Sequence, residues 1–453
     1  MRTYAKWILV GLMLLGAWLR AKGLFDNSFY TDEALFASWA RLISTGRDPF
    51  LQTQLVDKPP LLFYMQAVAF RLLRSSEWAA RLPNWIASVA LIPLVYRWIV
   101  NWWRDCWAGL FAAAMVALSP FAIQFSGTAF TDPLMVTLVV GSLAQSTPNK
   151  RGLLFGLALA TKYQAILLLP LVMWWRVDWR VVVGTMIGVA GWMWVSGQAF
   201  LGSGEALLIG GIRPITSYEL LPRWQQWQNY LNTVFGIPIL WVFIPCTIGI
   251  FLSCHSHPRR NSLLILWFNI VLYFCFHWLL ATAVYDRYML PMVVMMAALV
   301  GVGVTRIGGN ADGRKRYIYV GLLFTVYCLL FTVGLRARNG AFAVGGQVDA
   351  DEGSAEIAAY FADAPYGTVL YDHWYSWQWR YHLLETGVYT EWIPDPRTLV
   401  ENLDVFYDAH RYLILPADAR AAPFQRALRK GGYALEKRLQ SDEMILYQIV
   451  RSK

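Results

Sequence analysis

Within residues 29–66, FYTDEALFASWARLISTGRDPFLQTQLVDKPPLLFYMQ, four carboxylates (Asp32, Glu33, Asp48, Asp57) crowd between apolar stretches, although only 13 Asp and Glu occur up to Val344. Asp32 and Glu33 follow Thr31, the expected N-cap of a helix whose Leu35, Phe36, Trp39, Leu42 and Ile43 form an apolar stripe. A carboxylate at a helix start complements the dipole. The same dipole keeps it ionised, as a general base must be, and a place at a membrane surface favours that second role for Asp32. Asp132 precedes Pro133, in the order of Asp N-cap and Pro N1 with which many helices begin. Structure alone accounts for that order about as well as function does. Lys162 interrupts GLLFGLALATKYQAILLLPLVMWW, where a charge costs about 2.5–3.5 kcal/mol on insertion scales and marks a site or a buried pair. It is expected to meet an anion, with Lys58 of DKPP, Arg20 and Lys22 as companions. Snorkelling explains Arg20 and Lys22 at least as well. In YDRY, Arg287 and Tyr288 either belong to an interfacial aromatic belt or hold a phosphate or sugar, and the two readings weigh the same.

Membrane helices must position these groups. The chain has 453 residues, 57% hydrophobic and 15% charged, with 23 Trp and a mean hydropathy of +0.40. A soluble domain carries about 25% charge, so the composition is that of a polytopic membrane protein. The net charge of +10 divides into +15 over residues 1–344 and −5 over residues 345–453. Basic excess in the apolar part points to positive-inside loops and not to nucleic-acid binding.

Apolar segments run at 5–20, 81–100, 107–123, 131–145, 152–161, 163–175, 181–197, 233–252, 262–281, 287–306 and 317–335. Lys150/Arg151 and Arg176/Arg180 both belong inside, yet they flank only about 25 residues, and a single crossing would put one set outside. Two short helices forming a hairpin around Lys162 reconcile them. The result is about eleven crossings, with the N-terminus inside and the tail outside. Residues 21–80, the turn FSGTAFTDP, residues 198–232, AVYDRY and the tail then face outward. EALFASWARLIS and PPLLFYMQAVAFRLL are expected to lie at the interface as amphipathic helices. The N-terminal apolar run has no small-residue cleavage site and reads as an anchor. The five cysteines all lie in or beside apolar segments, and no disulfide framework is readable. Cys254, His255 and His257 in SCHSHPRR lack a fourth metal ligand, so a cytosolic loop is favoured.

TDEALFA, DKPPLLFYMQAVAF, RLPN, AFTDPLM, LALATKYQAILLLP and YDRYMLP together resemble, in order, the lipid-carrier-dependent glycosyltransferases of the GT-C fold. The protein O-mannosyltransferase and aminoarabinose transferase (ArnT) types are the nearest patterns, and the likeness covers about residues 5–310. The resemblance implies an all-α polytopic GT-C domain over residues 1–344, in a bacterial inner or plasma membrane, that transfers a sugar from a polyprenyl-phosphate donor with inversion. The acceptor would be a lipid, glycan or protein outside the cytoplasm. By matched position, Asp32 would be the catalytic base, with Glu33 beside it in the substrate site. Lys58, Lys162 and Tyr288 would hold the donor phosphate, with Arg287 joining them on the reading of YDRY itself, and Asp132 and Arg81 would contact substrate. Arg81 is the weaker carry-over, because an Arg before Leu-Pro also serves simply to orient a helix. A lipid phosphate is already a good leaving group, so the chemistry needs a base and a cationic clamp but no cofactor. Some relatives carry a zinc ion. A supporting His is absent from the first loop here, so the resemblance assigns no metal ligand and leaves a divalent metal open.

Residues 345–453 read as a small extracytoplasmic α/β domain. GTVLYDH, RYLILPAD and EMILYQIV are expected strands, and GSAEIAAYFADAP and AAPFQRALRKGG expected helices. No GxGxxG or P-loop is present, which argues against a nucleotide site. Trp374, Trp377 and Tyr381 stand at helical spacing and fit a core better than a sugar platform. Two rival functions remain at this level. One is a transporter or flippase of lipid-linked glycans, which has no use for a base held at one surface. The other is a pseudo-enzyme scaffold, which would tolerate loss of Asp32.

Overall fold

The structure is a computed structural model and describes residues 2–198, 213–236, 260–309, 314–345, 353–406, 410–441 and 443–452. Cys254, His255 and His257 of SCHSHPRR and most of the segment expected at 233–252 lie outside the described residues. The chain divides into two compact units, Met1–Asn27 with Leu42–Val348 and Ser28–Arg41 with Asp349–Lys453. The sequence suggested a division at 344/345, with residues 28–41 in the membrane part; here they group with the tail.

The first unit is helical. Among the described residues, five helices are long and apolar enough to cross a membrane: Tyr4–Asp26, Glu77–Trp103, Asn261–Leu279, Asp286–Arg306 and Val320–Arg338. A bent pair, Cys106–Leu118 with Pro120–Gly127, makes a sixth if counted as one span. Leu61–Leu73, Thr131–Leu143, Tyr163–Met173 and Trp179–Val195 are apolar but shorter. Asp286–Arg306 is the most enclosed, with 89% of its apolar window buried, whereas Val320–Arg338 buries 17% and forms an outer wall. Exposed Trp7, Leu14, Ile187, Trp194, Leu322 and Phe324 lie on such outer helices, where a lipid solvent removes the cost that water would impose.

Helix α1 (Arg2–Asp26) packs on α4 (Glu77–Trp103) and α5 (Cys106–Leu118). The bend after α5 measures 59° and has a covalent cause. Pro120 has no N–H, so the Val116 carbonyl loses its helical donor. Arg20 of α1 replaces it: Nη2 donates to Val116 O at 2.9 Å, and Nη1 donates to Ala117 O at 2.9 Å and Gly16 O at 3.0 Å. Arg20 is therefore buried as a helix-break cap (1% exposed), neither snorkelling nor free to meet a carrier. One turn on, a Cβ on Gly127 would stand 2.6 Å from the Gly23 backbone, so only glycine lets α1 pass this turn.

The expected hairpin forms. Helix α8 (Pro148–Leu159) runs to Lys162, and the chain returns as a 3-10 turn, Tyr163–Leu168, and helix α9 (Leu169–Met173). The far ends close on each other: Arg151 Nη1 donates to Arg176 O at 2.6 Å and Asp178 N to Pro148 O at 3.3 Å. The two basic clusters whose conflict suggested the hairpin thus sit together at its base.

The second unit contains a five-stranded sheet, ordered β2-β1-β3-β5-β4, from β1 (Val369–Asp372), β2 (Tyr389–Trp392), β3 (Arg411–Pro416), β4 (Tyr433–Ser441) and β5 (Met444–Arg451). Strand β1 pairs parallel with β2 and β3, while β5 is antiparallel to β3 and β4. Helices Pro396–Phe406 and Ala422–Lys430 bury Leu399, Leu403, Phe424 and Leu428 in one core layer. Helices Ser354–Ala359 and Ser376–His382 fill another with Ile357 and Trp379, joined by Phe361 from the turn that follows the first of them. Trp379 takes the buried place expected of Trp377.

Candidate active site

Three turns of the first unit converge on one ion pair. Lys162 Nζ, at the hairpin tip, donates to both oxygens of Asp132 at 2.7 and 2.8 Å. The two residues are 8% and 1% exposed, so neither charge could remain without the other. Lys162 Nζ also lies 4.7 Å from the centre of the Tyr288 ring. Arg287 stands over Phe130 at 4.6 Å and over Tyr285 at 4.4 Å. Its guanidinium and the Lys58 ammonium both lie within electrostatic reach of Lys162. Three cations, one buried carboxylate and a phenol therefore share a small region, a composition suited to a phosphate ester.

Local sequence explains the convergence. Asn84 of α4, in RLPN, donates to Thr128 O at 2.8 Å and Phe130 O at 2.6 Å. It thereby fixes the entry to helix α7 (Thr131–Leu143) and with it Asp132. That helix starts two residues earlier than Asp-Pro suggested: Phe130 is the N-cap, and Asp132 lies in the first turn. DKPP is joined to the hairpin tip through Leu61 N, which donates to Ala160 O at 3.1 Å; this N–H is an orphan of the first turn of helix Leu61–Leu73. Lys58 pairs with its neighbour Asp57. Arg81 is fully buried, donates to Asn27 O at 2.5 Å and stands 3.5 Å from Glu77, contacts that tie α4 to the end of α1. Asn84 was missed as a positioning residue, although its place in RLPN was a usable signal.

Asp32 and Glu33 belong to the second unit. Helix α2 (Thr31–Thr45) begins at Thr31, so Tyr30 and not Thr31 is its cap residue. Glu33 is buried and its Oε2 accepts from Tyr30 N at 3.0 Å, the reciprocal half of a capping box. Asp32 is half-buried one residue earlier. Arg41 anchors this segment to the tail, donating from Nη1 to Tyr381 O and pairing through Nη2 with Glu385 at 3.1 Å. Phe29 packs edge-on against Tyr381 at 5.0 Å. Asp48, in the first unit, is a loop staple. Burial raises its pKa, but Thr53 Oγ1, Thr53 N and Gln52 N donate to it and hold it below the usual carboxylate range. Among the described residues, no three His, Cys, Asp or Glu side chains are grouped to hold a metal ion.

The arrangement matches known folds. ArnT from Cupriavidus metallidurans, solved with undecaprenyl phosphate, superposes with a TM-score of 0.69 at 12% identity, covering 98% of each chain. The chain has a GT-C fold. The oligosaccharyltransferase AglB of Archaeoglobus fulgidus, solved with an inhibitory peptide and a dolichol-phosphate, gives a TM-score of 0.56 at 12% identity over all of this chain and 74% of that one. The family described as dolichyl-phosphate-mannose-protein mannosyltransferase matches residues 57–195, which include Lys58, Arg81, Asp132 and Lys162 but not Asp32. A Bacillus subtilis (strain 168) protein, "Putative mannosyltransferase YycA", is 31% identical over 145 residues, 29% of this chain. That match spans only 21% of the relative's length. With its apolar helices and this GT-C fold, the chain is an integral membrane protein.

Proposed function

We propose that this protein is an inverting glycosyltransferase that moves a sugar from a polyprenyl-phosphate donor to a hydroxyl on a lipid, glycan or protein outside the cytoplasm. The observation that carries the reading is the buried Lys162–Asp132 pair at the hairpin tip, with Arg287, Lys58 and Tyr288 around it. Cations gathered in this way, Lys162 and Arg287 buried and Lys58 partly so, suit a phosphate that must leave with a negative charge.

In the reaction, the acceptor oxygen forms a bond to the anomeric carbon on the face opposite the phosphate. Its proton passes to Asp32. The bond from the anomeric carbon to the phosphate oxygen breaks, and the electron pair stays on that oxygen. Lys58, Lys162 and Arg287 stabilise the departing charge, and Tyr288 contacts the phosphate. Asp132 holds Lys162 in place and, with Glu33 and Arg81, borders the substrates. The chain's own side chains supply the base and the electrostatic clamp, so these steps require no cofactor. The site and the tail face the outside of a bacterial inner membrane, a placement supported by the basic clusters on the opposite side.

Reconstitution in vesicles with polyprenyl-phosphate mannose labelled in the sugar tests the assignment. Transfer of label to an added membrane extract, with release of free polyprenyl phosphate, is expected. Label that changes leaflet while still on its carrier would identify a flippase instead.

A further inference from the structure

Beside the cationic cluster stand two buried acceptor atoms. His277 is the last-turn histidine of helix α12 (Arg260–Leu279) and is fully buried. Its Nδ1 lies 2.8 Å from the Tyr273 carbonyl. A carbonyl only accepts, so Nδ1 carries the proton and Nε2 of the neutral ring presents a bare lone pair. Nε2 is buried and has no hydrogen-bond partner among the described residues. The ring packs 5.4 Å from that of Tyr288, whose own ring bears Lys162, and His277 lies within electrostatic reach of both Lys162 and Asp132. Gln164 tells the same story from the hairpin side. Its side chain lies within interaction reach of Tyr288, and its Oε1 is buried without a partner among the described residues.

The scaffold holds His277 fixed. Arg223 Nη2 donates to His277 O and Leu280 O, both at 2.7 Å, and Trp227 Nε1 donates to His277 O at 3.0 Å. Tyr273 Oη in turn donates to Tyr288 O at 2.8 Å, joining α12 to the turn that bears Arg287. A buried acceptor kept unpaired and rigid costs free energy unless a ligand completes it. An acceptor with no charge suits a neutral donor, not a phosphate.

We infer that His277 Nε2 and Gln164 Oε1 accept hydrogen bonds from hydroxyl groups of the donor's sugar ring, forming a sugar subsite next to the phosphate clamp. The inference rests on the proposed function and adds to it which side chains read the sugar and by what chemistry. Two poles follow: cations for the phosphate, lone pairs for the hydroxyls. His277 recognises the substrate by accepting and takes no proton from it.

Binding to the full chain in nanodiscs, with undecaprenyl phosphate and undecaprenyl-phosphate mannose as probes, tests this. His277→Phe keeps an aromatic ring against Tyr288 but removes the acceptor, and His277→Gln keeps one. His277→Phe is expected to leave undecaprenyl phosphate affinity unchanged and to weaken the mannosylated lipid about three- to tenfold, the loss of one neutral hydrogen bond. His277→Gln should recover most of that loss. Equal weakening of both lipids by His277→Phe would make His277 a packing residue only. Unchanged affinity of both variants for the mannosylated lipid would remove the subsite outright. Failure of the wild-type chain to bind either lipid would instead overturn the proposed function, and the subsite with it.

Discussion

Lys162 and Asp132 show how a polar pair survives inside an apolar helical unit. Each charge is held directly by the other, with two oxygens shared by one ammonium. Removing one partner leaves an uncompensated buried charge, whereas removing both leaves none. Lys162→Met is therefore expected to abolish transfer and lower stability by about 3–5 kcal/mol. A Lys162→Met, Asp132→Asn double variant should regain much of that stability and none of the transfer. Thermal unfolding in detergent separates the two effects, and a double variant as unstable as the single one would contradict the pairing. Lys162 was visible in the sequence because a charge inside an apolar run demands a partner. Its partner was not, since 30 residues separate them and only the folded hairpin brings them together. His277 was hidden for the opposite reason. A histidine near the end of an apolar helix is ordinary until its ring nitrogen proves to be buried and unpaired.

Arg20 and the bend after α5 form one structural device. Pro120 frees a carbonyl and an arginine from another helix fills the gap. Arg20→Met is expected to cost about 3 kcal/mol through two uncompensated carbonyls, with KM for the donor lipid unchanged in the molecules that remain folded. A raised KM at unchanged stability would return Arg20 to the substrate site. The hairpin could be foreseen because two basic clusters had to share one side, and its ends do meet. The capping of α2 and α7 was misjudged by one and two residues, respectively. Asp, Thr and Pro all favour the first turn of a helix, so type alone does not single out the cap. In the tail, the three expected strands are β1, β3 and β5, the interior of the sheet. Strands β2 and β4 were missed because both are edges, where exposed Tyr389, Glu436 and Lys437 break the apolar run that marks a covered strand.

Each of the two units shows its solvent in its charge. The membrane unit keeps few carboxylates and uses them as caps, staples and partners, while the tail carries a net −5 over residues 345–453. Within the tail, Asp372 ends β1 and accepts from Trp374 N at 3.1 Å, Tyr375 N at 2.8 Å and Ser376 Oγ at 3.3 Å. Burial outweighs these donors and pushes its carboxyl up to about 6. The folded state then binds more protons than the unfolded one between about pH 4 and pH 6. Its contribution to stability is complete below that window and is lost as the pH rises through it. Asp372→Asn should flatten this part of the pH–stability curve; a slope of the same size in the variant would assign it to another group.

The proposed reaction turns on a single base acting against a cationic phosphate clamp. The most direct measurement is transfer from polyprenyl-phosphate mannose by Asp32→Asn in vesicles, with donor binding followed on the same preparation. A loss of about 10²–10⁴-fold in transfer is predicted, with donor affinity retained. Transfer at the wild-type rate would contradict it.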